Sequence, residues 1–192
     1  MLVEVDRELQ VRKRLFNVEE YHRMVEAGII SERDRVELIE GEIVEMSPIG
    51  SRHAAHVDSL VALLSRQIGE SAIIRVQSTV KFSETMELQP DLSLLKPRKD
   101  FYASEHPKPD DVLLLIEVAN TSLKYDHKVK SPLHARVGIP ETWIVDLTTD
   151  TIERHTQPAS DGYRETVRFK RGDTLESKIL PDLRLAVSDI LV

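Results

Sequence analysis

Two acids set in apolar surroundings are the residues of this 192-residue chain best suited to holding a cation. Gln89-Pro90-Asp91 leads directly into Leu92-Ser93-Leu94-Leu95, so Asp91 stands at the entrance of a strand that reads as buried. Glu117 ends the apolar run Leu113–Ile116 and precedes Val118-Ala119-Asn120. A carboxylate in such a place is costly unless it is exposed, paired or bound to a cation. If the two strands are neighbours, Asp91 and Glu117 could share Mg²⁺ (or Mn²⁺), because Mg²⁺ takes oxygen ligands, usually one or two carboxylates plus waters. Each acid also has an ordinary reading: Asp91 as a turn residue, and Glu117 as the partner of a helix lysine.

A basic segment follows. Lys124, Lys128, Lys130 and Arg136 are interleaved with His127 and His134, and only Asp126 opposes them. Lys130 or Lys128 could swing toward the acids, orient a water and stabilise charge developing on a phosphate. The plain alternative is a solvated helix face. There is no glycine-rich loop ending in Lys-Ser/Thr and no helical His-Glu-His pattern, which argues against a nucleotide triphosphatase or a zinc peptidase.

The surrounding pattern supplies elements to position these groups. Asn17 caps a helix, with Glu20 three residues on and Gly28 closing it. Val36–Met46 reads as a hairpin turning at Glu40-Gly41. That turn pairs Ile39 with Glu42 and Glu37 with Val44, so these four residues share a face. Ser51 to Gly69 is an amphipathic helix with Val57, Leu60, Val61, Leu63, Leu64 and Ile68 on its apolar side. His53 and His56 share a face of this helix. Ala72–Phe82, Asp91–Leu95, Leu113–Ala119 and Pro140–Leu147 read as strands, Asp126–Val137 as a helix closed by Gly138. Short strands and an apolar segment make up the tail. The order implies an α/β fold (α+β is the alternative label): a central mixed β-sheet flanked by helices. Residues 1–14 read as an N-terminal arm and 15–192 as a single domain.

Composition sets the outer limits. Hydrophobic residues make up 41% of the chain, enough for a sizeable core, and there is no cysteine, so disulfides and thiolate metal sites are excluded. No apolar run approaches the ~20 residues of a membrane span, and the first residues do not resemble a signal peptide; a cytoplasmic protein with no membrane partner is expected. The net charge of −7 argues against a non-specific nucleic-acid coater. It leaves room for an enzyme that guides DNA with a local basic patch.

Taken together, ELIEGEIVEMSPIGSRH, QPDLSLL, LLLIEVANTS and YDHKVKSPLHARVGIPETWIVDL resemble the Uma family of restriction-endonuclease-like proteins, a branch of the PD-(D/E)XK nuclease superfamily. The resemblance runs from about Leu15 to Val187 and rests on the order and spacing of four motifs. It implies a restriction-endonuclease-like fold and Mg²⁺-dependent hydrolysis of DNA, with Asp91 and Glu117 as metal ligands and the Val118 carbonyl as a third. Two residues after Glu117, where the motif has lysine, stands Ala119; the resemblance moves the lysine to the following helix, at Lys130, with Lys128 as competitor. It brings the hairpin and His53 near the metal site, making Glu42 and His53 further catalytic candidates. Two more departures are His134, where similar sequences carry Tyr, and Ser131-Pro132 inside the expected helix, where proline would break or kink it. A homodimer is expected, since such nucleases often cut two strands as symmetric pairs. The alternative is a non-catalytic nucleic-acid-binding or interaction module that retains the nuclease fold.

Overall fold

The computed structural model describes residues 5–6, 11–31, 33–120 and 122–192. Most of the expected N-terminal arm lies outside them. Its described parts are two short strands, β1 (Val5–Asp6) and β2 (Val11–Arg12), paired antiparallel.

Helix α1 (Val18–Glu26) begins as its sequence dictates. Asn17 accepts from the Glu20 amide, and the Glu20 carboxylate accepts from the Asn17 amide. The hairpin β3 (Val36–Ile39) and β4 (Glu42–Glu45) has the expected register. Glu40 and Gly41 both have positive φ, at 50° and 86°, as a type I′ turn requires. A Cβ at Gly41 would lie 2.8 Å from that of Leu15, so the turn also needs glycine for space.

Helix α2 (Ser51–Ile68) follows. The stretch Ala72–Phe82, expected as one strand, is two: β5 (Ile73–Val76) and β6 (Val80–Ser83). The chain turns at Gln77, whose φ is 43°, and the two halves enter different sheets. Next come β7 (Met86–Leu88), β8 (Leu92–Leu95) and β9 (Val112–Ala119). The expected helix after β9 starts earlier than its sequence suggests and is not regular. It comprises α3 (Leu123–Tyr125), a π-helical stretch (Asp126–Lys130) and α4 (Ser131–Arg136). Proline at 132 does not break it. The wider turn, in which the Ser131 amide donates to the Asp126 carbonyl five residues back, gives the pyrrolidine ring room. The remaining elements are β10 (Glu141–Asp146), β11 (Thr151–Ala159), β12 (Gly162–Lys170), β13 (Thr174–Glu176), β14 (Arg184–Ala186) and α5 (Val187–Ile190).

The central sheet has six strands in the order β12-β11-β10-β9-β8-β5. β9 and β10 are parallel and their neighbours antiparallel, so the sheet is mixed and the fold α/β. A four-stranded sheet, β4-β3-β7-β6, packs beside it. Alternation along β9 sorts its side chains. Leu114, Ile116 and Val118 enter the main core with Leu60 and Leu64 of α2. Leu115 faces the other way, into a second core with Val80, Leu88 and Leu133. Glu117 and Ala119 share the Leu115 face by the period of two. The one acid of β9 is thereby directed under the helical segment 123–136. Among the described residues, no helix is long and apolar enough to cross a membrane.

Candidate metal and nucleic-acid site

A pocket of about 350 Å³ opens where the two sheets, the start of α2 and the π-helical stretch meet. Asp91, Glu117, Val118, His53 and Lys130, five of the six residues singled out from sequence, line it. Each comes from a different local cause. Pro90 ends the loop before β8 and delivers Asp91 at the strand's entrance. The break at Gln77 returns the chain past the same point, where its amide donates to the Asp91 carbonyl at 2.9 Å and its side chain to Asp91 Oδ1 at 3.3 Å. His53, in the first turn of α2, places Nε2 2.9 Å from Asp91 Oδ2, and the Val118 amide donates to the same oxygen at 2.9 Å. Burial pushes the Asp91 carboxyl upward, but the hydrogen bond and charge of His53, with the Val118 and Gln77 donors, outweigh it and hold Asp91 below its ordinary value.

Glu117 is in the opposite condition. It is 4% exposed and its Oε1 has no hydrogen-bond partner. Lys130 Nζ and His134 Nε2 stand 3.8 and 3.9 Å from that atom, too far for hydrogen bonds. Burial first, and then the charges of Asp91, Asp126 and Glu37, push its carboxyl well above the ordinary range, with Lys130 as the counterweight. Asp126 is likewise pushed up by burial, despite the 2.7 Å hydrogen bond from Ser122 Oγ.

Lys130, 7% exposed, is the buried cation of the pocket. Its Nζ donates to Glu37 Oε1 at 3.2 Å. Burial disfavours its charged form, but Glu117, Glu37 and Asp126 together raise its pKa further above the ordinary lysine value, so it is an ammonium. Lys128 points to solvent. Of the two lysines weighed from sequence, Lys130 is the one that faces the acids. Ala119, two residues after Glu117 on the same face of β9, is fully buried, and the pocket's ammonium comes from the helical segment.

The hairpin contributes a different acid from the one expected. Glu42 does not line the pocket; beside the turn it is half-exposed and pairs with Lys13 at 2.9 Å. Glu37 takes its place. Both acids share a face of the ribbon, but Glu37 is on the inner strand β3, between β4 and β7, and is 2% exposed. Its Oε1 also accepts the Gln89 amide at 2.8 Å, which fixes the turn carrying Pro90 and Asp91. Glu37, Asp126 and Gln77 are the site residues the sequence reading did not select. Glu37 had a signal, its place in the hairpin alternation. Asp126 and Gln77 are brought in by a π turn and a strand break that no periodicity announces.

His56 is outside the pocket; its Nδ1 lies 2.7 Å from the Arg52 carbonyl and it packs in the helix. His134 is fully buried, stacked on Phe82 with ring centroids 5.6 Å apart. Burial, then the charges of Lys130 and His155, push its imidazole down to about 3, so it is neutral. It occupies the Tyr position as an aromatic plate. The basic segment is also less basic at its surface than in sequence, since Lys130 is buried and Arg136 pairs with Glu40.

Five carboxylates (Glu37, Glu45, Asp91, Glu117 and Asp126) line the pocket against two permanent cations, Arg35 and Lys130. The unpartnered Glu117 oxygen and the excess of buried negative charge fit a hard divalent cation. The carboxylate oxygens of the pocket are the donors Mg²⁺ prefers, and two carboxylates with waters suffice. Among the described residues, the pocket acids do not form a group of three ligand atoms within 4.8 Å of one another.

The family described as "Uma2: Putative restriction endonuclease" matches residues 18–188. A crystal structure described as a putative nuclease belonging to DUF820, from Anabaena variabilis, is similar in fold: the TM-score is 0.71 at 17% identity, over 92% of this chain and 97% of that one. No curated protein matches the chain.

Proposed function

The chain belongs to the Uma2 family, and from that membership and the geometry of the pocket we propose that it is a metal-dependent endonuclease that hydrolyses DNA phosphodiester bonds. The observation that carries the reading is the buried, unpartnered Glu117 oxygen in the same pocket as Asp91, with the Lys130 ammonium between Glu117 and Glu37. Asp91 and Glu117 would hold Mg²⁺ or Mn²⁺, with the Val118 carbonyl as a further ligand. When bound, the ion would polarise the scissile phosphate and lower the pKa of a water. Lys130 neutralises part of the carboxylate charge that would otherwise repel a phosphate, and its ammonium is available to charge developing on the phosphate oxygens. Glu37 holds that ammonium in place. His53 and Gln77 fix the Asp91 carboxylate through hydrogen bonds. Glu42 is not part of this scheme. Water adds to phosphorus as one P–O ester bond breaks, leaving a phosphate monoester and a free hydroxyl.

We place the activity in one nuclease domain spanning 15–192, in the cytoplasm, acting as a homodimer that presents one site to each strand; a monomer by light scattering at working concentration would remove the last element. The test of the whole reading is cleavage of plasmid DNA with Mg²⁺ or Mn²⁺, alongside calorimetric Mn²⁺ binding. Asp91→Asn and Glu117→Gln should each abolish cleavage and weaken Mn²⁺ binding while the circular dichroism spectrum is retained. Full activity in Asp91→Asn would sink the assignment. A second reading, a non-catalytic nucleic-acid-binding module, is favoured by one observation: Asp91 Oδ2 already accepts from both His53 and the Val118 amide. It predicts DNA binding without cleavage under either metal.

A further inference from the structure

We propose that His127, Glu153 and His155 form a second metal site, selective for Zn²⁺ and similar transition-metal ions, that clips the π-helical stretch to the central sheet. The site stands apart from the acidic pocket, none of its three residues lining it. Glu153 and His155 are two apart on β11 and share one face of the sheet. His127 descends onto that face from the π-helical stretch. One ligand atom from each of the three lies within 4.8 Å of the others.

The spacings of the three ligand atoms match those of a metal cage. His155 Nε2 lies 3.2 Å and His127 Nε2 3.6 Å from the same oxygen, Glu153 Oε2. The edge of a tetrahedron around Zn²⁺, with ligand bonds of ~2.0–2.1 Å, is ~3.3 Å, so the spacings bracket it. His155 Nε2 is buried and makes no hydrogen bond, although its side chain is only 8% exposed. Its other nitrogen, Nδ1, is 3.0 Å from Thr166 Oγ1 on the neighbouring strand β12. With Nδ1–H donating to that hydroxyl, Nε2 carries an unengaged lone pair beside a carboxylate, an arrangement a cation resolves. Outer hydrogen bonds of this kind commonly orient metal-bound histidines. Glu153 is prepared in the same way. Arg168, its cross-strand neighbour, takes Oε1 through Nε at 3.0 Å and through its terminal nitrogen, leaving Oε2 for the site. Two imidazoles and one carboxylate suit Zn²⁺, Co²⁺ or Ni²⁺, and not the all-oxygen preference of Mg²⁺. His127 is one-third exposed, which gives an ion a path in and leaves a fourth position for water. Because His127 adjoins Asp126 on the stretch that also bears Lys130, a bound ion would fasten the element that supplies the acidic pocket with its cation.

The test uses the full chain carrying Asp91→Asn and Glu117→Gln, so that the acidic pocket is silenced and failure of the nuclease reading cannot be confused with failure of this one. Co²⁺ titration should fill one equivalent with the intense visible absorption of a tetrahedral site, and Zn²⁺ should displace it. Zn²⁺ at about 100 times its Kd should raise Tm by about 5–10 °C. Binding should fall at least tenfold in His127→Gln and about a hundredfold in His155→Gln. His127 is part-exposed, so its variant folds and carries the test even if His155→Gln does not. No tetrahedral Co²⁺ spectrum in the silenced chain would overturn the proposal. So would an equivalent that survives His127→Gln unchanged and disappears in His22→Gln, because that would assign the ion to the separate group of His22, Glu87 and His106.

Discussion

Lys130 and Glu117 have opposite consequences for stability although they stand 3.8 Å apart. Lys130 is the buried cation against Glu37 and Glu117, whose side chains are 1% and 6% exposed. Removing one partner of a buried pair leaves an uncompensated charge. Lys130→Met should therefore lower the unfolding free energy by about 3–5 kcal/mol and abolish cleavage, whereas Lys128→Ala, at an exposed position, should change stability by no more than about 0.5 kcal/mol and leave cleavage intact. Urea unfolding with a plasmid assay checks both; loss of activity in Lys128→Ala alone would reverse the assignment. Glu117 is instead a strained group, buried with one oxygen unsatisfied and pressed by three other acids. Glu117→Gln should raise metal-free stability by about 1 kcal/mol while abolishing Mn²⁺-dependent cleavage, the trade expected where a functional charge is held at structural cost. A fall in metal-free Tm would show that Glu117 is a structural ion-pair partner. The sequence disclosed this residue because an acid among Leu113–Ile116 and Val118 has few reasons to be there. It could not separate Glu37 from Glu42, since alternation gives both the same face and only the neighbouring strand β7 buries one of them.

At the scale of elements, regular periodicity was readable and its interruptions were not. The capped helix α1, the hairpin register and the amphipathic α2 follow from local rules and appear with nearly the expected bounds. The division of Ala72–Phe82 at Gln77 goes with tertiary hydrogen bonds to Asp91, and the π-helical stretch at Asp126–Lys130 with the room that Pro132 needs, which simple periodicity does not encode. Both interruptions deliver side chains to the site. The π turn adds one residue to a turn, so its removal would rotate Asp126 and Lys130 away from their present directions. Pro132→Ala restores an amide able to bond four residues back. It should keep stability within about 1 kcal/mol of wild type and reduce cleavage at least tenfold. Unchanged cleavage with unchanged stability would mean that the contacts of Lys130, and not the proline, hold the wide turn.

The whole molecule is a large mixed sheet with the smaller sheet on one side and α2 with the tail on the other, and the pocket opens at the seam. The tail was legible only as short strands and an apolar end. One buried acid, which the sequence shows merely as part of Pro140–Leu147, helps to dock it alongside its apolar residues. Glu141, fully buried on β10, accepts from Trp143 Nε1 on one oxygen; on the other it accepts from Ser177 Oγ and the amides of Lys178 and Ile179. These bonds tie the sheet to the turn after β13, and so hold Leu175, Leu183 and Leu185 in the main core. Glu141→Ala would leave the buried indole N–H and the turn donors without partners, at a cost of about 3 kcal/mol. Burial raises the Glu141 carboxyl above its ordinary 4.5, against the downward pull of those donors. The folded chain therefore holds this proton more tightly than the unfolded chain does. Linkage then makes the contribution of Glu141 largest below the unfolded value and progressively smaller as pH rises through the folded one. The difference in unfolding free energy between wild type and Glu141→Gln should accordingly shrink with rising pH across that window, as read by urea titrations at several pH values. A difference that grows instead would mean that the donors outweigh burial and that Glu141 is held as a carboxylate by the turn it fastens.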